Sequence, residues 1–476
     1  MKKENTTQSA FGMIGLGTMG SNLLQNIADQ GYDCAGYDND TSKVDSLNNL
    51  NRDNIHGFSD INEFVKSLKS PKTVMLLVPA GKIVDTVIEE LLKVMDQGDI
   101  IIDGGNSHFT DTERRYTDLE KKGFHFIGMG VSGGEEGARK GPSMMPGGDK
   151  KAYETIKPIL EKIAAHVNGE PTVAYMGDRS AGHFVKMVHN GIEYALMQLI
   201  SETYEVLKNG LHMDNDNIHT IFEKWNEGRL QSYLIEITRD IFAYKKKGTD
   251  TLLLDDIKDE AKAKGTGMWT SQAAMDLNLP IPIIDIAVSM RDLSKYKDLR
   301  TKAATLYPDS TEMQYHDKND EHVTKLEHGF YFAMVSAYAQ GMHLLYRANE
   351  EFNYNLNLDL IAKIWRGGCI IRSEFLEDIY AAYKKDSELK HLFLNDTVQR
   401  NLAASLPGIR SVVSNAALHG IATPAFSVAL SYFDNFRSEE MPANLIQAQR
   451  DFFGSHTYEL KGKEGTFHTE WEKPTS

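Results

Sequence analysis

The sequence predicts an α/β domain built on a parallel sheet, followed by a large all-helical domain and a C-terminal tail. Short apolar runs alternate with amphipathic helical patterns over the first 180 residues, an order typical of a parallel sheet with helices on its faces. Strand-like runs become scarce from Arg179 onward, and helical segments follow one another to about Ser438. A segment rich in Gly, Lys and Glu comes after Met441-Pro442. We therefore expect domains at residues 1–180 and 181–438, and a tail at 439–476.

Each candidate strand of the first domain is a short apolar run, and an amphipathic stretch separates it from the next. The candidate strands are Phe11–Gly15, Cys34–Asp38, Thr73–Val78, Ile100–Asp103 and Phe124–Met129, and two of the intervening helices are Met19–Gln30 and Ile83–Met95.

A glycine-rich turn joins the first strand to the first helix. Glycines there permit a tight turn, close approach of the backbone to a pyrophosphate and close packing of helix on strand. The free N–H groups and the dipole of the helix N-terminus then hold the phosphates. The motif indicates a Rossmann-type dinucleotide site, with a purely structural glycine turn as the alternative. Its candidate residues are Gly15, Gly17, Thr18, Met19 and Gly20.

Asp38, at the end of the second strand and 18 residues beyond Gly20, is expected to choose between cofactors. A carboxylate accepts hydrogen bonds from the ribose hydroxyls of NAD but repels the 2′-phosphate of NADP, for which an arginine is usual. Asn39 supplies no guanidinium, although Lys43 could reach round. The sequence favours NAD and leaves NADP possible; a helix cap is the alternative role for Asp38, and Asp40 could serve as that cap equally well.

Two later loops lie at carboxyl ends of strands, the edge of an α/β sheet where ligands bind. Val78 and Asn106 are further cofactor candidates there, and Asn106 in Asp103-Gly-Gly-Asn-Ser107 is also a substrate candidate. The next strand leads to Ser132, Gly133 and Gly134, whose consecutive N–H groups suit a carboxylate. Flexible-loop composition is the alternative explanation for this segment.

The stretch FVKMVHNGIEY, Phe184 to Tyr194, carries one polar stripe at helical spacing. Removing hydride from a secondary alcohol requires a base for the hydroxyl proton, and a lysine of lowered pKa can serve. We expect Lys186 to be that base and Glu193, two turns on, to be a general acid. His189 and Asn190 lie between them to orient substrate oxygens. A solvated polar face is the alternative.

Cations in three later segments suit a phosphate. Lys264 and Thr266 flank a glycine, and Arg291 supplies a second cation. Arg450 and His456 lie six residues apart near the C-terminus. The alternative is that each of these cations is a solvent-exposed surface charge that binds no ligand.

Composition excludes several function classes. A net charge of -15 without a basic block argues against nucleic-acid and anionic-membrane partners. No run approaches the roughly 18 apolar residues of a membrane span, and the N-terminus makes a poor secretory signal, so we expect a cytoplasmic protein. The two cysteines, Cys34 and Cys369, are expected to be buried free thiols rather than a disulfide or metal site.

The helical part contains an internal echo. Ile221–Ile237 resembles Ile361–Ile379, with Trp225 matching Trp365 and Gly228 matching Gly368. Aligning the Tyr-Ala pairs upstream places an apolar set opposite the polar stripe, which suggests a duplicated unit whose second copy lacks that stripe. The residues opposite Lys186, His189, Asn190 and Glu193 are Phe330, Ala333, Met334 and Ala337.

Taken together, these motifs resemble the decarboxylating 6-phosphogluconate dehydrogenases, within the β-hydroxyacid dehydrogenases. The resemblance extends over essentially the whole chain, through GLGTMGSNL, DGGNS, GVSGGEEGARKGPSMMPGG, GHFVKMVHNGIEY, KGTGMWT, WRGGCIIRS and PANLIQAQRDFFGSHTYE. It implies a homodimeric pentose phosphate pathway enzyme that oxidises and decarboxylates 6-phosphogluconate to ribulose 5-phosphate without a metal.

The resemblance also implies roles for individual residues. Lys186 would act first as base and then as acid, and Glu193 would protonate C1. The carboxylate and hydroxyls of the substrate would be bound by Asn106, Ser132, Gly133, Gly134, His189 and Asn190. The phosphate would be held by Tyr194, Lys264, Thr266 and Arg291, with Arg450 and His456 from the second subunit.

The chain departs from the family pattern at several positions. NADP-dependent members carry Asn-Arg-Thr where this chain has Asp38-Asn39-Asp40, which strengthens the expectation of NAD. Lys262-Ala263 and Met268 change the phosphate loop, and Ala195-Leu196 replaces a usual Gly-Asp. Two alternatives stay open: a β-hydroxyacid dehydrogenase of the 3-hydroxyisobutyrate type, and a catalytically silent NAD-binding protein.

Overall fold

A computed structural model describes residues 8–308 and 319–471 of the chain. Its N-terminal part is a seven-stranded sheet of order β3-β2-β1-β4-β5-β6-β7, in which β1 to β6 are parallel and β7 is antiparallel to β6. The strands are β1 Phe11–Ile14, β2 Cys34–Tyr37, β3 Ile55–Phe58, β4 Thr73–Leu76, β5 Ile100–Asp103, β6 His125–Ser132 and β7 Ser143–Gly148. The accompanying helices are α1 Thr18–Asp29, α2 Thr41–Asn48, α3 Ile61–Lys66, α4 Lys82–Leu91, α5 Phe109–Lys121, α6 Gly134–Lys140 and α7 Lys150–Ile163.

The helices cover both faces of this sheet. Residues of α1, α2, α6 and α7 pack with Met13 and Ile102 on one face, and residues of α3, α4 and α5 pack with Ile14 and Ile101 on the other. Sequence analysis predicted five of the seven strands and missed β3 and β7. Only Ile55 of the edge strand β3 is buried, and β7 contains Pro146 and two glycines that usually argue against a strand. The predicted α/β Rossmann-type fold is confirmed.

The register of the parallel strands brings their carboxyl ends to one edge. Ile14 is paired with both Tyr37 and Leu76, and Leu76 is paired with Asp103. The segments that follow β1, β2, β4 and β5 therefore leave the sheet side by side. These segments contain the predicted cofactor residues.

Helices dominate after the sheet, as predicted. A short hairpin, β8 His166–Val167 and β9 Glu170–Pro171, precedes them. The helices are α8 Ala181–Glu205, α9 Asn215–Trp225, α10 Tyr233–Ala243, α11 Thr266–Asp276, α12 Pro282–Ser294, α13 Lys297–Leu306, α14 Asn319–Phe352, α15 Leu358–Trp365, α16 Phe375–Lys385, α17 Asp396–Leu418 and α18 Pro424–Phe436. Short π or 3-10 turns occupy Val206–Gly210, Leu253–Asp256 and Leu392–Leu394. Among the described residues, none of these helices combines the length and apolar character needed to cross a membrane.

The order of elements repeats in the way the internal echo predicted. A long helix, a helix ending in Trp and a third helix follow one another as α8, α9, α10 and again as α14, α15, α16. The turns after Trp225 and Trp365 meet, because Ser232 and Ser373 form an antiparallel bridge. Cys369 lies in the second of these turns, and both Cys34 and Cys369 are free and buried as expected.

Helix α8 packs directly against the sheet, and glycines permit the close approach of the helix backbone to the strands. A Cβ at Gly182 would lie 2.2 Å from the carbonyl oxygen of Gly128, and a Cβ at Gly130 would lie 2.3 Å from Cβ of Lys186. Larger residues would force the helix away. The helix that carries the polar stripe is therefore held against β6 and β7.

The chain separates into two compact units between Ala429 and Leu430. The described part of the second unit contains α19 Ala443–Gly454 and a hairpin of β10 Tyr458–Glu459 and β11 Thr466–Phe467. The carboxylate of Asp451 is fully enclosed and accepts hydrogen bonds from the backbone N–H of Thr469 and from Nε1 of Trp471, with Nδ1 of His468 2.9 Å away. These contacts fold the segment after the hairpin back onto α19.

Candidate active site

The glycine turn after β1 has the shape that a pyrophosphate requires. Gly15 has a φ of +96°, and a Cβ there would lie 2.4 Å from the carbonyl oxygen of Leu77. A Cβ at Gly20 would lie 1.8 Å from the carbonyl oxygen of Gly15, whereas Gly17 has open space around its Cα. Gly17 precedes α1 and provides no side-chain cap, so the first N–H groups of the helix, at Thr18 and Met19, stay available to an anion. The turn fits a dinucleotide phosphate.

Asp38 is buried beside this turn, with 6% of its surface exposed. Its Oδ2 accepts a hydrogen bond from the N–H of Leu16 at 2.8 Å, and its Oδ1 accepts one from the N–H of Asp40 at 2.9 Å. Nζ of Lys43 lies 3.3 Å from Oδ2. The helix-cap role belongs to Asp40, whose carboxylate accepts a hydrogen bond from the N–H of Ser42. Asp38 therefore ties the strand end to the glycine turn, and Asn39 beside it is exposed.

Three loops meet where the cofactor candidates converge. A Cβ at Gly15 would lie 3.1 Å from Cγ1 of Val78, and a Cβ at Gly105 would lie 3.2 Å from the carbonyl oxygen of Val78. Asn106 is exposed at the tip of the third loop, whereas Asp103 at its base is fully buried. The structure thus brings the glycine turn, Val78 and Asn106 together.

The polar stripe of α8 is buried, so the alternative of a solvated surface face is wrong. Lys186 is 7% exposed, His189 is fully buried and Asn190 is 8% exposed. Nδ1 of His189 lies 3.4 Å from Nζ of Lys186, 3.0 Å from Oδ1 of Asn190 and 3.9 Å from Oε2 of Glu193. Because both distances are measured from Nδ1 of His189, Nζ of Lys186 and Oε2 of Glu193 are at most 7.3 Å apart.

Burial shifts the pKa values of Lys186, His189 and Glu193 toward their neutral forms. It lowers the pKa of Lys186, against the attraction of the Glu193 carboxylate. It raises the pKa of Glu193, against the nearby charges of Lys186 and Arg291. Burial, reinforced by Lys186, also lowers the pKa of His189 well below its usual value, so that ring is neutral. The arrangement contains an amine disposed to lose a proton and a carboxyl disposed to keep one.

The last residue of β6 contacts this cluster, and two glycines follow it. Oγ of Ser132 is 3.1 Å from Nε2 of His189. Gly133 and Gly134 follow with φ values of +111° and +63°, conformations in which successive N–H groups can cradle an anion. A Cβ at Gly133 would lie 2.6 Å from the carbonyl oxygen of Gly368, so glycine is required for the segment to pack there.

The phosphate candidates of the first unit collect around the far end of the stripe. The guanidinium of Arg291 lies over the ring of Tyr194 at 3.6 Å, and a Cβ at Gly267 would lie 2.4 Å from the same ring. Thr266 is buried, and Lys264 is exposed two residues before it. Oγ1 of Thr270 donates to the carbonyl of Met187, which fixes α11 on α8. These contacts bring Tyr194, Thr266 and Arg291 to one place.

Arg450 and His456 lie in the second unit, where a third side chain connects them. Nε2 of Gln447 donates to the carbonyl oxygens of His456 and Thr457, and its Oε1 accepts a hydrogen bond from Nη1 of Arg450. Both cations are exposed. Their contribution to the site described above stays a prediction.

Sequence reasoning missed several residues that support the site. The ring of Trp365 packs against His189 with centroids 5.7 Å apart, and burial raises the pKa of the Cys369 thiol to about 12. The repeated Trp and Gly of the internal echo were the available signal for this segment. Arg115 is another missed residue, and no local motif distinguished it. In the described residues, no cluster of three or more His, Cys, Asp or Glu side chains is arranged to hold a metal ion.

Comparison with known proteins gives matches across both parts of the chain. Residues 10–177 match the family model for the NAD binding domain of 6-phosphogluconate dehydrogenase, and residues 182–471 match the model for its C-terminal domain. The decarboxylating 6-phosphogluconate dehydrogenase of Lactococcus lactis is 48% identical over 467 residues, covering 98% of this chain and 99% of the relative. The NADP(+)-dependent, decarboxylating enzyme of Bacillus subtilis is 48% identical over 469 residues, covering 98% and 100%.

A solved structure gives the same picture. Plasmodium falciparum 6-phosphogluconate dehydrogenase, described in its apo form and in complex with its cofactor NADP+ and its substrate 6-phosphogluconate, superposes with a TM-score of 0.94 at 44% identity. The superposition covers 97% of this chain and 100% of that one.

Proposed function

The chain belongs to the 6-phosphogluconate dehydrogenase family, and on that premise we propose that it converts 6-phosphogluconate to ribulose 5-phosphate and CO2 with NAD(P) as oxidant. The observation that carries this proposal is the pair of buried Lys186 and half-buried Glu193 on α8, a helix whose neighbours include both the strand that ends at Ser132 and the phosphate candidates. A silent NAD-binding protein would gain nothing from a buried lysine beside a half-buried glutamate, because removing ionisable groups from water destabilises the fold.

Lys186 is the proposed base. A bound nicotinamide dinucleotide supplies the hydride acceptor for C3. As the hydride leaves, the neutral amine of Lys186 accepts the proton of the C3 hydroxyl and the 3-keto acid forms. The burial that lowers the pKa of Lys186 favours this neutral form at working pH. The resulting ammonium then donates to the C3 oxygen while the C1 carboxylate leaves as CO2, which produces an enediol.

Glu193 is the proposed acid for the last step. To become ribulose 5-phosphate, the enediol must gain a proton at the carbon that was C2 of the substrate and becomes C1 of the product, and it must lose the proton on the former C3 oxygen. The raised pKa of Glu193 keeps a proton available for the carbon, and the neutral amine of Lys186 takes back the proton from the oxygen. His189 is neutral and fully buried between the two groups, where it and Asn190 orient substrate oxygens. Base and acid are therefore separate groups, two turns apart on one helix.

The two ends of the substrate have matching sites in this proposal. Ser132, Gly133 and Gly134, together with Asn106, bind the carboxylate and hydroxyls. Tyr194, Lys264, Thr266 and Arg291 hold the phosphate, and Arg291 is oriented by its stacking on Tyr194. The phosphate-binding residues distinguish this proposal from an enzyme of the 3-hydroxyisobutyrate type. An unphosphorylated acid has no phosphate for Lys264 and Arg291 to bind.

An absorbance assay at 340 nm tests the proposal directly. We expect NAD(P)H to form with 6-phosphogluconate, with release of CO2 in equal amount. Full activity on 3-hydroxyisobutyrate combined with none on 6-phosphogluconate would support the other class. NAD(P) binding without turnover of any hydroxy acid would support the silent alternative.

We also propose that NAD is preferred, although the named relatives from B. subtilis and P. falciparum use NADP. Asp38 is buried at the end of β2 with its charge only partly offset by Lys43. Asn39 and Asp40 provide no guanidinium for a 2′-phosphate. A second negative group is therefore disfavoured there, whereas ribose hydroxyls are accepted.

Asn39→Arg is the sharper test of this preference. Asp38→Asn would leave Leu16 or Asp40 facing an amide N–H instead of an oxygen and so disturb the glycine turn. Asn39 is exposed, so its replacement adds a guanidinium without that damage. We expect kcat/KM for NADP relative to NAD to rise by about tenfold to a hundredfold, the range of a charge-assisted hydrogen bond. A wild-type preference for NADP would overturn the proposal.

A homodimer with sites completed by the partner's tail, residues 439–476, is our third proposal. The second unit exposes several large apolar side chains, which water alone covers poorly. They include Leu445, Ile446 and Phe453, at 62%, 61% and 73% exposure. In this proposal another subunit covers that surface, and Arg450 and His456 bind the phosphate in the site of that subunit.

Mixing two inactive variants tests the exchange of tails. If the tail acts in trans, a hybrid of Lys186→Met and Arg450→Ala subunits contains one site with both wild-type residues, so co-refolding should restore activity. If Arg450 acts within its own subunit, no hybrid site is complete and activity stays low. Light scattering reports the dimer itself.

A further inference from the structure

The cofactor side of the site contains a buried arginine that no step above uses. Arg115 lies on α5 and is 2% exposed. Its Nη1 donates to Oδ2 of Asp103 at 3.2 Å and to Oγ of Ser107 at 3.1 Å. Its Nη2 donates to the carbonyl oxygen of Gly81 at 2.9 Å, and its Nε donates to Oδ1 of Asp85 at 2.8 Å. The planar fork of the guanidinium thus reaches two separate loops.

The first of these loops is the segment from Asp103 to Ser107. The carboxylate of Asp103 is fully buried, accepts hydrogen bonds from the N–H of Gly105 at 3.1 Å and from Oγ of Ser107 at 2.6 Å, and depends on Arg115 for its counter-charge. Base and end of the loop are therefore tied together. Asn106 is left as the exposed residue between Gly105 and Ser107.

The second loop runs from the end of β4 to Gly81 and contains Val78. Gly105 packs on the carbonyl oxygen of Val78, and Val78 packs on Gly15 of the phosphate turn. Gly81 is the N-cap residue that precedes α4 and has a φ of +92°, so its carbonyl direction is set by a conformation that favours glycine. By bonding this carbonyl and Asp103 at once, Arg115 fixes the spacing between the two loops.

We propose that Arg115 is a positioning residue for the cofactor site, holding Asn106 and Val78 in register with the glycine turn. The inference rests on the proposed function for the identity of the ligand, a nicotinamide dinucleotide. Arg115 itself touches neither the reacting atoms nor the phosphate turn; it acts through Asp103, Ser107 and Gly81.

The adjacent residue provides a matched control. Arg114 also pairs with Asp85, at 3.0 and 3.1 Å, but its side chain is 49% exposed and its other carboxylate contact is Asp111 on its own helix. Arg114→Lys and Arg115→Lys each replace one guanidinium of α5 with an ammonium and keep the positive charge. A lysine at 115 cannot bond Gly81, Asp103 and Ser107 together, because its single ammonium lacks the fork.

The experiment measures NAD and NADP dissociation constants by titration calorimetry, beside thermal unfolding. We expect Arg115→Lys to stay folded and to weaken cofactor binding about tenfold, the ratio equal to about 1.4 kcal/mol. Arg114→Lys should bind within about twofold of wild type. Ser107→Ala, which keeps the ion pair, should weaken binding in the same direction by a smaller factor.

Chemical rescue separates positioning from a general loss of structure. In Arg115→Ala, millimolar guanidinium should restore part of the cofactor affinity, while the same concentration of guanidinium leaves Arg114→Ala unchanged. Wild-type affinity in Arg115→Lys, or equal losses in the variants at 114 and 115, would overturn the inference. Failure of the wild type to bind either dinucleotide would instead overturn the proposed function.

Discussion

Lys186→Met should produce an enzyme that is more stable at neutral pH and almost inactive. Methionine has nearly the volume of lysine and is tolerated in buried sites. Without the amine, no group at this position can take the C3 hydroxyl proton, and loss of a general base typically lowers kcat by 10² to 10⁴. Cofactor affinity should be retained, because Lys186 lies on α8 and the glycine turn precedes α1.

The stability gain follows from burial. Lys186 is 7% exposed, and burial holds its pKa below the 10.5 of an unfolded chain. Each pH unit of that lowering costs the folded protein about 1.4 kcal/mol while the amine is protonated. Between the lowered pKa and 10.5 the unfolded chain binds more protons than the folded one, so wild-type stability rises with pH there. The advantage of Lys186→Met should therefore be greatest near neutral pH and shrink toward pH 10.

The assay pairs single-turnover absorbance at 340 nm with thermal unfolding at several pH values. Lys140→Met is the control, because Lys140 is 73% exposed and pairs only with Glu136 on its own helix among the described contacts. It should change neither activity nor the pH dependence of stability. Hydride transfer within tenfold of wild type, or an unfolding temperature for Lys186→Met that falls at neutral pH, would refute the reasoning.

Three further predictions concern single side chains. Glu193→Gln should keep hydride transfer but slow the entry of solvent deuterium at C1 of the product, measured by NMR; unchanged exchange would remove Glu193 from that role. Burial raises the pKa of Glu202 to about 7, so the folded protein binds more protons than the unfolded chain between about pH 4.5 and 7. The folded protein therefore loses stability as pH rises across that window. Glu202→Gln should reduce this dependence of the unfolding temperature on pH. Gln447→Leu should raise KM for 6-phosphogluconate about twofold to tenfold and leave KM for the cofactor unchanged. The reason is that leucine cannot make the hydrogen bonds by which Gln447 connects Arg450 to the carbonyl oxygen of His456. An unchanged KM for 6-phosphogluconate would contradict this.

The cofactor turn could be predicted from sequence because its determinants are local. Gly15, Gly17 and Gly20 all lie in or next to one turn between a strand and a helix, and their spacing in the sequence is enough to predict that turn. Asp38 was equally visible, but its bonds to Leu16 and Asp40 were not. Whether a carboxylate faces ribose, caps a helix or ties down a turn depends on where neighbouring N–H groups point, which only the folded chain determines.

Burial of the polar stripe could not be predicted, because a solvated helix and a buried catalytic helix share the same spacing. The deciding contacts come from elsewhere in the chain: Gly130 and Gly182 let α8 approach the sheet. Arg115 was invisible for the same reason, since its partners lie on β5 and in the loops after β4 and β5. Strand β7 was missed because tertiary pairing with β6 overrides the poor strand propensity of Pro146 and its neighbouring glycines.

The internal duplication separates what the fold needs from what the chemistry needs. The Trp of each copy packs against the long helix of the other copy. The ring centroid of Trp225 lies 5.8 Å from that of Phe330 on α14, and the ring centroid of Trp365 lies 5.7 Å from that of His189 on α8. The contact is apolar in one copy and polar in the other, although the architecture is the same.

Along α14 the positions opposite the stripe, Phe330, Ala333, Met334 and Ala337, are all buried and apolar. A long helix in this arrangement is therefore formed without a lysine, a histidine and a glutamate at these four positions. Burying those groups on α8 costs folding free energy that the sister helix shows to be avoidable. The proposed roles of these groups account for their presence, because desolvation shifts the pKa values of Lys186 and Glu193 in opposite directions, toward a base and an acid.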